Sequence, residues 1–166
     1  MFRAAAILGD KMLLGTFFAI SPTEKLLEKM DESSHQFNLT GSRFFKTDTE
    51  RSDWDFFIKD SEEIRHWLTT NGFTRYTNAS SYADDGQCLC VFVFGDNAEP
   101  GDFSKQIHVQ LVVDENVKKQ VQIKLLELYP FYEKSRKGSF TTDKEIARMI
   151  WKNAFAFFQI GLESKR

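Results

Sequence analysis

The chain has 166 residues, of which 42% are hydrophobic and 17 are phenylalanine. This composition excludes an intrinsically disordered chain and suits a single domain with a core rich in aromatic side chains. The formal net charge of −2 excludes a broadly basic nucleic-acid-binding protein, so contact with RNA or DNA would need a local patch.

Two apolar runs open the chain, over residues 4–8 and 12–20, and a polar break separates them. Neither run approaches the roughly 18 to 20 residues that a bilayer-spanning helix needs, and no signal-peptide pattern is present. We therefore predict one or two short helices over residues 2–19 that pack on the core. We expect a soluble, cytoplasmic protein without a membrane partner.

A helix start follows at Ser21, with Pro22 in the first turn and Glu24 at the third helical position. This is the pattern of a capping box. We predict a helix that ends within residues 31–36 and leads into a strand over residues 37–40. Its buried stripe consists of three residues: Leu26, Leu27 and Met30.

Gly41 and Ser42 come directly after this predicted strand. Glycine permits a tight turn and a close approach of the backbone to a ligand. The Ser42 hydroxyl and nearby backbone N–H groups can hold phosphate oxygens. Arg43 and Lys46 follow, and they are either solvated loop charges or groups that neutralise a bound phosphate.

Asp53 and Asp55 lead into a strand-like segment. Because successive side chains on a strand alternate between faces, the two carboxylates share one face, while Trp54 and Phe56 point to the other. Two like charges at this spacing repel each other unless a cation lies between them. Mg²⁺ (or Mn²⁺) is the ion that such an oxygen site predicts.

Gly-Ser, a gap of ten residues and then Asp-Trp-Asp-Phe together resemble the signature of the nucleotidyltransferase fold superfamily, whose catalytic core is like that of DNA polymerase beta. The chain resembles its small prokaryotic or phage-type members, closely over about twenty residues and in element order over residues 37–128. The resemblance implies an α+β fold with a mixed sheet flanked by helices. It also implies that Gly41 and Ser42 hold the triphosphate of a nucleotide and that Asp53 and Asp55 carry the divalent metal.

The middle of the chain predicts a helix and two strands. The helix is capped by Asp60 or Ser61 and ends at Asn71-Gly72, and its apolar face consists of Ile64, Trp67 and Leu68. A short strand over residues 73–77 follows. Residues 88–94 are apolar on both faces, which predicts a central strand whose two cysteines are buried thiols.

The strand over residues 106–113 alternates cleanly, with Ile107, Val109, Leu111 and Val113 on the core face and Gln106, His108 and Gln110 on the other. The resemblance implies a third carboxylate at about this point, and the chain has none there. A neutral His108 could act as a general base, and Gln110 could orient a substrate or water. Alternatively, these are ordinary polar residues on an exposed sheet face, and the fold has lost its chemistry.

The C-terminal third predicts two helices. An amphipathic helix over residues 114–128 is broken by Pro130, with Lys118 and Lys119 on its solvent side. A helix over residues 142–160 is apolar around most of its circumference. It must therefore be buried within this chain, or against a protein partner or a second copy.

These patterns predict a single nucleotidyltransferase-like domain over residues 1–166, with a core at about 21–128 and a helical segment at about 129–166 packed on it or extending it. The expected activity is metal-dependent transfer of a nucleoside monophosphate from a nucleoside triphosphate to a hydroxyl on protein, RNA or a small molecule. The alternative is a catalytically degenerate binding or regulatory protein of the same fold, for example a toxin–antitoxin-type partner. The missing third acid favours this alternative, and the intact acid pair speaks against it.

Overall fold

The computed structural model describes residues 19–46, 48–76, 87–97 and 99–136. These residues form an α+β fold with a five-stranded mixed sheet and four helices. The helices predicted over residues 2–19 and 142–160 lie outside the described residues, apart from residue 19 itself.

The helices and strands follow one another in this order: α1 (Pro22–Glu32), β1 (Asn38–Thr40), α2 (Gly41–Phe45), β2 (Trp54–Lys59), α3 (Glu62–Thr70), β3 (Thr74–Tyr76), β4 (Cys88–Phe94), β5 (Ile107–Val112) and α4 (Glu115–Arg136).

The strand order in the sheet is β1-β2-β5-β4-β3. β2 runs parallel to β5, and the other neighbouring strands are antiparallel. Asp55 in β2 is opposite Thr40 on one side and His108 on the other. This register sets Asp55, with Asp53 directly before β2, between the end of β1 and the start of β5.

One face of the sheet packs against α1 and α3. The predicted capping box starts α1: the Ser21 hydroxyl accepts from the Glu24 N–H at 3.2 Å, and the Glu24 carboxylate accepts from the Ser21 N–H at 2.9 Å. Ser61 caps α3 by accepting from the Ile64 N–H at 3.2 Å. A core cluster of buried residues lies here, and its members include Leu26, Met30, Ile58, Leu68, Phe92, Val109 and Leu111. Trp54 and Phe56 pack against it as expected.

The opposite face is covered by α4, and here two expectations were wrong. Lys118, expected on the solvent side, is only 4% exposed, because its ammonium reaches Gln110 Oε1 at 2.8 Å. Gln110 is therefore buried under α4 rather than on an open sheet face. The helix also continues through Pro130 to Arg136 instead of ending before the proline.

Two further local expectations need correction. Gly41 and Ser42 do not form an isolated turn, since they begin the five-residue helix α2. Val113, expected on the core face, lies beyond the end of β5 and is 51% exposed. Both corrections concern strand ends, where pairing stops and alternation no longer predicts the side-chain direction.

Candidate metal centre

Asp53, Asp55 and His108 come together on one face of the sheet. Asp55 and His108 are register partners on the parallel strands β2 and β5, so their side chains point the same way. His108 Nδ1 lies 3.3 Å from Asp53 Oδ2 and 3.6 Å from Asp55 Oδ1. One ligand atom from each residue lies within 4.8 Å of the others.

Gln106 sets the orientation of the His108 ring through Nε2, the ring nitrogen that faces away from the acids. Nε2 lies 3.0 Å from Gln106 Oε1. A carbonyl oxygen can only accept, so Nε2 carries the hydrogen and Nδ1 faces the two acids. A bare Nδ1 lone pair would repel both carboxylates. The arrangement therefore requires a proton or a metal cation between the ring and the acids.

The electrostatic balance at His108 follows from these contacts. Burial disfavours the charged imidazolium and by itself lowers the pKa of His108. The interaction with the Asp55 carboxylate and the negative charges of Asp55 and Asp53 act in the opposite direction and prevail, so the pKa of His108 is raised. A positive charge is thus stabilised where the three side chains meet.

The three donors fit a divalent ion. Carboxylate oxygens suit hard cations such as Mg²⁺ and Mn²⁺, and an imidazole nitrogen suits ions of the first transition series. With metal–ligand bonds of about 2.0–2.2 Å, ligand atoms of one ion are at most about 4.4 Å apart. Only small side-chain adjustments would therefore bring all three donors onto one ion. The side chains of His108, Asp55 and Asp53 are 13%, 15% and 26% exposed, which leaves access from the Asp53 side.

Gly41 lies directly against Asp55. A Cβ built on Gly41 would meet Asp55 Oδ2 and lie 2.9 Å from both Asp55 Cβ and Cγ. Its φ of +66° is also in the left-handed region that side chains disfavour. The backbone at the start of α2 therefore lies directly against Asp55, although the two residues are well separated in the sequence.

Arg43 binds the backbone next to the acid pair. Its Nε donates to the carbonyl oxygen of Asp53 at 2.8 Å, and Nη2 donates to that of Ser52 at 2.7 Å. The guanidinium lies 4.0 Å from the centre of the Trp54 ring and pairs with Asp48 at 3.1 Å. These contacts fix the backbone that carries Asp53. The predicted phosphate role of Arg43 stays a prediction.

The remaining predicted nucleotide-binding residue, Lys46, ends α2 in the left-handed conformation and is exposed. Nothing in its described surroundings ties it to the acid pair.

No protein-family model matches the chain, and no curated protein or solved structure matches it significantly. Within the part of the chain that the structure describes, no helix is both long and apolar enough to cross a bilayer. Its cellular location and its membership of the nucleotidyltransferase superfamily stay predictions.

Sequence reasoning named Gln106 and Arg43 but missed how each of them shapes this centre. Gln106 lies directly before β5 and orients the His108 ring, and its place two residues before His108 was the available signal, because residues i and i+2 of an extended segment share a face. Arg43 acts through its guanidinium on backbone carbonyls, and no spacing rule indicates such contacts.

Proposed function

We propose that the chain is a metal-dependent nucleotidyltransferase that moves a nucleoside monophosphate from a nucleoside triphosphate to an acceptor hydroxyl. The observation that carries this proposal is the contact of Gly41 with Asp55. Phosphate transfer of this kind needs ion ligands and a phosphate-binding backbone next to each other. This contact sets the candidate phosphate segment beside the candidate ion ligands.

Each residue then has a definite task. Asp53 and Asp55 would hold the divalent ion, which when bound supplies positive charge to the phosphate oxygens. Gly41 and Ser42 would accommodate the phosphates by close backbone approach and hydrogen bonding. Arg43 holds the Asp53 backbone in place, so that the carboxylate need not reorganise on binding.

The acceptor oxygen forms a bond to the α-phosphorus, the bond from that phosphorus to the β-phosphate oxygen breaks, and pyrophosphate leaves. The hydroxyl proton passes to a carboxylate oxygen of the site, and Asp53 is the more exposed of the two acids, at 26% against 15%. His108 Nδ1 could take this proton only while it is unprotonated and not bound to a metal.

The rival function is a nucleotide-binding or regulatory module without turnover. One observation favours it: Arg43, the basic side chain next to Ser42, is engaged by two carbonyl oxygens and by Asp48. The negative charge of a triphosphate would then be neutralised by the ion and by other basic groups, which weakens the case for catalysis.

The test uses the full chain with each of the four α-³²P-labelled ribonucleoside triphosphates, in Mg²⁺ or Mn²⁺, and mixed RNA and protein fractions as acceptors. We expect label on one acceptor class, loss of transfer in Asp53→Asn, and retention in the exposed control Asp31→Asn. Equal transfer by wild type and Asp53→Asn would exclude the mechanism. Metal-dependent thermal stabilisation by a triphosphate without any transfer would identify the binding module instead.

A further inference from the structure

We propose that His108 is the third metal ligand, through Nδ1, and that this nitrogen makes the site select Mn²⁺ or Co²⁺ over Mg²⁺. The proposal rests on the metal site of the proposed function and does not require nucleotide transfer to occur. It assigns His108 a role different from the general base that the sequence predicts.

The position of Gln106 decides which nitrogen of His108 faces the two acids. Gln106 Oε1 accepts from Nε2–H at 3.0 Å, which orients the ring so that Nδ1, and not Nε2, is the nitrogen directed at Asp53 and Asp55. A metal-ligating histidine is commonly oriented in this way, with its second nitrogen donating to an oxygen outside the ligand set. On the other side of β5, the register partner of His108 is Val93, which has no donor atom to offer.

The roles of general base and metal ligand exclude each other at Nδ1 of His108. A general base needs a free lone pair on Nδ1, and a ligand uses the same lone pair. Nε2 cannot replace Nδ1 as the base, because it already carries the hydrogen that Gln106 accepts. With two carboxylates at 3.3 and 3.6 Å, Nδ1 is surrounded by ion ligands rather than open to an acceptor hydroxyl. The geometry therefore favours the ligand role.

Two carboxylates and one imidazole favour some divalent ions over others. Mg²⁺ prefers oxygen ligands and keeps much of its hydration shell, so an imidazole adds little to its affinity. Ions of the first transition series accept nitrogen and oxygen together, and Co²⁺ is bound more tightly than Mn²⁺ at a given site. Two carboxylates and one imidazole should thus discriminate against Mg²⁺, which three carboxylates would not.

The test measures ion binding to the full, metal-free chain without nucleotide. Isothermal titration with Mn²⁺, Co²⁺ and Mg²⁺ is expected to give affinities at least about tenfold higher for the transition ions. His108→Gln should weaken Mn²⁺ binding at least about tenfold and leave Mg²⁺ binding nearly unchanged. His108→Asp should bring the two affinities together, and the exposed His66→Gln is the matched control.

A spectroscopic measurement makes the test independent of whether the variants fold. The electron spin-echo modulation of Mn²⁺ bound to the wild-type chain should show coupling to one imidazole ¹⁴N. Absence of this coupling, equal affinities for Mn²⁺ and Mg²⁺, or no ion binding at all would overturn the proposal. Nitrogen-coupled Mn²⁺ without nucleotide transfer would refute the proposed function and leave the ligand assignment standing.

Discussion

Replacing Gly41 by alanine tests whether the proposed phosphate-binding segment lies directly against Asp55 of the acid pair. The added Cβ would face two costs. A left-handed backbone costs a residue with a side chain about 1–2 kcal/mol, and the overlap with Asp55 adds about 1–3 kcal/mol, as in other overpacked sites. We therefore expect Gly41→Ala to lower the free energy of unfolding by about 2–5 kcal/mol.

Gly101→Ala is the matched control because it separates these two costs. Gly101 has a φ of +83°, but a Cβ there would meet no described atom within 4 Å. This variant should thus lose only about 1–2 kcal/mol. In urea, with a slope of about 2 kcal/mol/M, the unfolding midpoint should fall by about 1–2.5 M for Gly41→Ala and about 0.5–1 M for Gly101→Ala.

Metal titration provides the second readout. Displacing the Asp55 carboxylate should weaken Mn²⁺ binding at least about tenfold in Gly41→Ala, and Gly101→Ala should bind as the wild type does. Equal midpoint shifts for the two variants, together with unchanged Mn²⁺ affinity in Gly41→Ala, would refute the adjacency on which the proposed function depends.

Three further predictions follow from described contacts. Arg43→Ala should lower the free energy of unfolding by about 1–3 kcal/mol and weaken Mn²⁺ binding, because two carbonyl oxygens near Asp53 lose their charged donor. The pKa of Asp60 is lowered mainly by its hydrogen bond to Arg65, so the ionised carboxylate should stabilise the fold above about pH 4 and lose this contribution as the pH falls through its folded pKa. In Asp60→Asn the free energy of unfolding should therefore decrease less on acidification than in the wild type, by less than about 1 kcal/mol. Lys118→Met should cost about 1–3 kcal/mol in urea unfolding, since it removes the buried donor to Gln110.

Each of these has a control or an outcome that contradicts it. Arg43→Lys retains the positive charge but lacks the planar guanidinium that donates to both carbonyl oxygens. It should therefore recover only part of the lost stability and of the lost Mn²⁺ affinity, and full recovery would mean that charge alone matters. If the free energy of unfolding of Asp60→Asn fell with decreasing pH as steeply as that of the wild type, the ion pair of Asp60 with Arg65 would contribute nothing to stability. Lys124→Met is the exposed counterpart of Lys118→Met, and equal destabilisation by the two would contradict a special role for the buried ammonium.

The sequence predicted the parts of this fold that depend on local rules. The capping box at Ser21 follows from spacing alone, and the structure confirms it. For α3 the spacing left Asp60 or Ser61 as the cap, and the structure selects Ser61. On the predicted core face of β5, Ile107, Val109 and Leu111 are buried as expected, but the other face is not open, because Gln110 is buried as well. The shared face of Asp53 and Asp55 follows from the two-residue period of a strand, and it is confirmed as well.

What the sequence could not give is pairing across the sheet and the packing of α4. Neither the period of β2 nor that of β5 reveals that Asp55 lies opposite His108. Lys118 was expected in solvent because lysine is rarely buried, but its partner Gln110 lies on another element. Pro130 was expected to break α4, but prolines in long helices can be accommodated when the surrounding fold compensates for the lost hydrogen bond.

The parallel pairing of β2 with β5 has a consequence for folding. The stretch between these two strands contains α3, β3 and β4, so no local hairpin can assemble the three proposed ligands. Because closing such a long loop is slow, we expect β2 and β5 to pair after the local elements have formed. Affinity for the ion should therefore develop late during refolding, after the secondary structure has formed. A bound ion would then stabilise the pairing of β2 with β5.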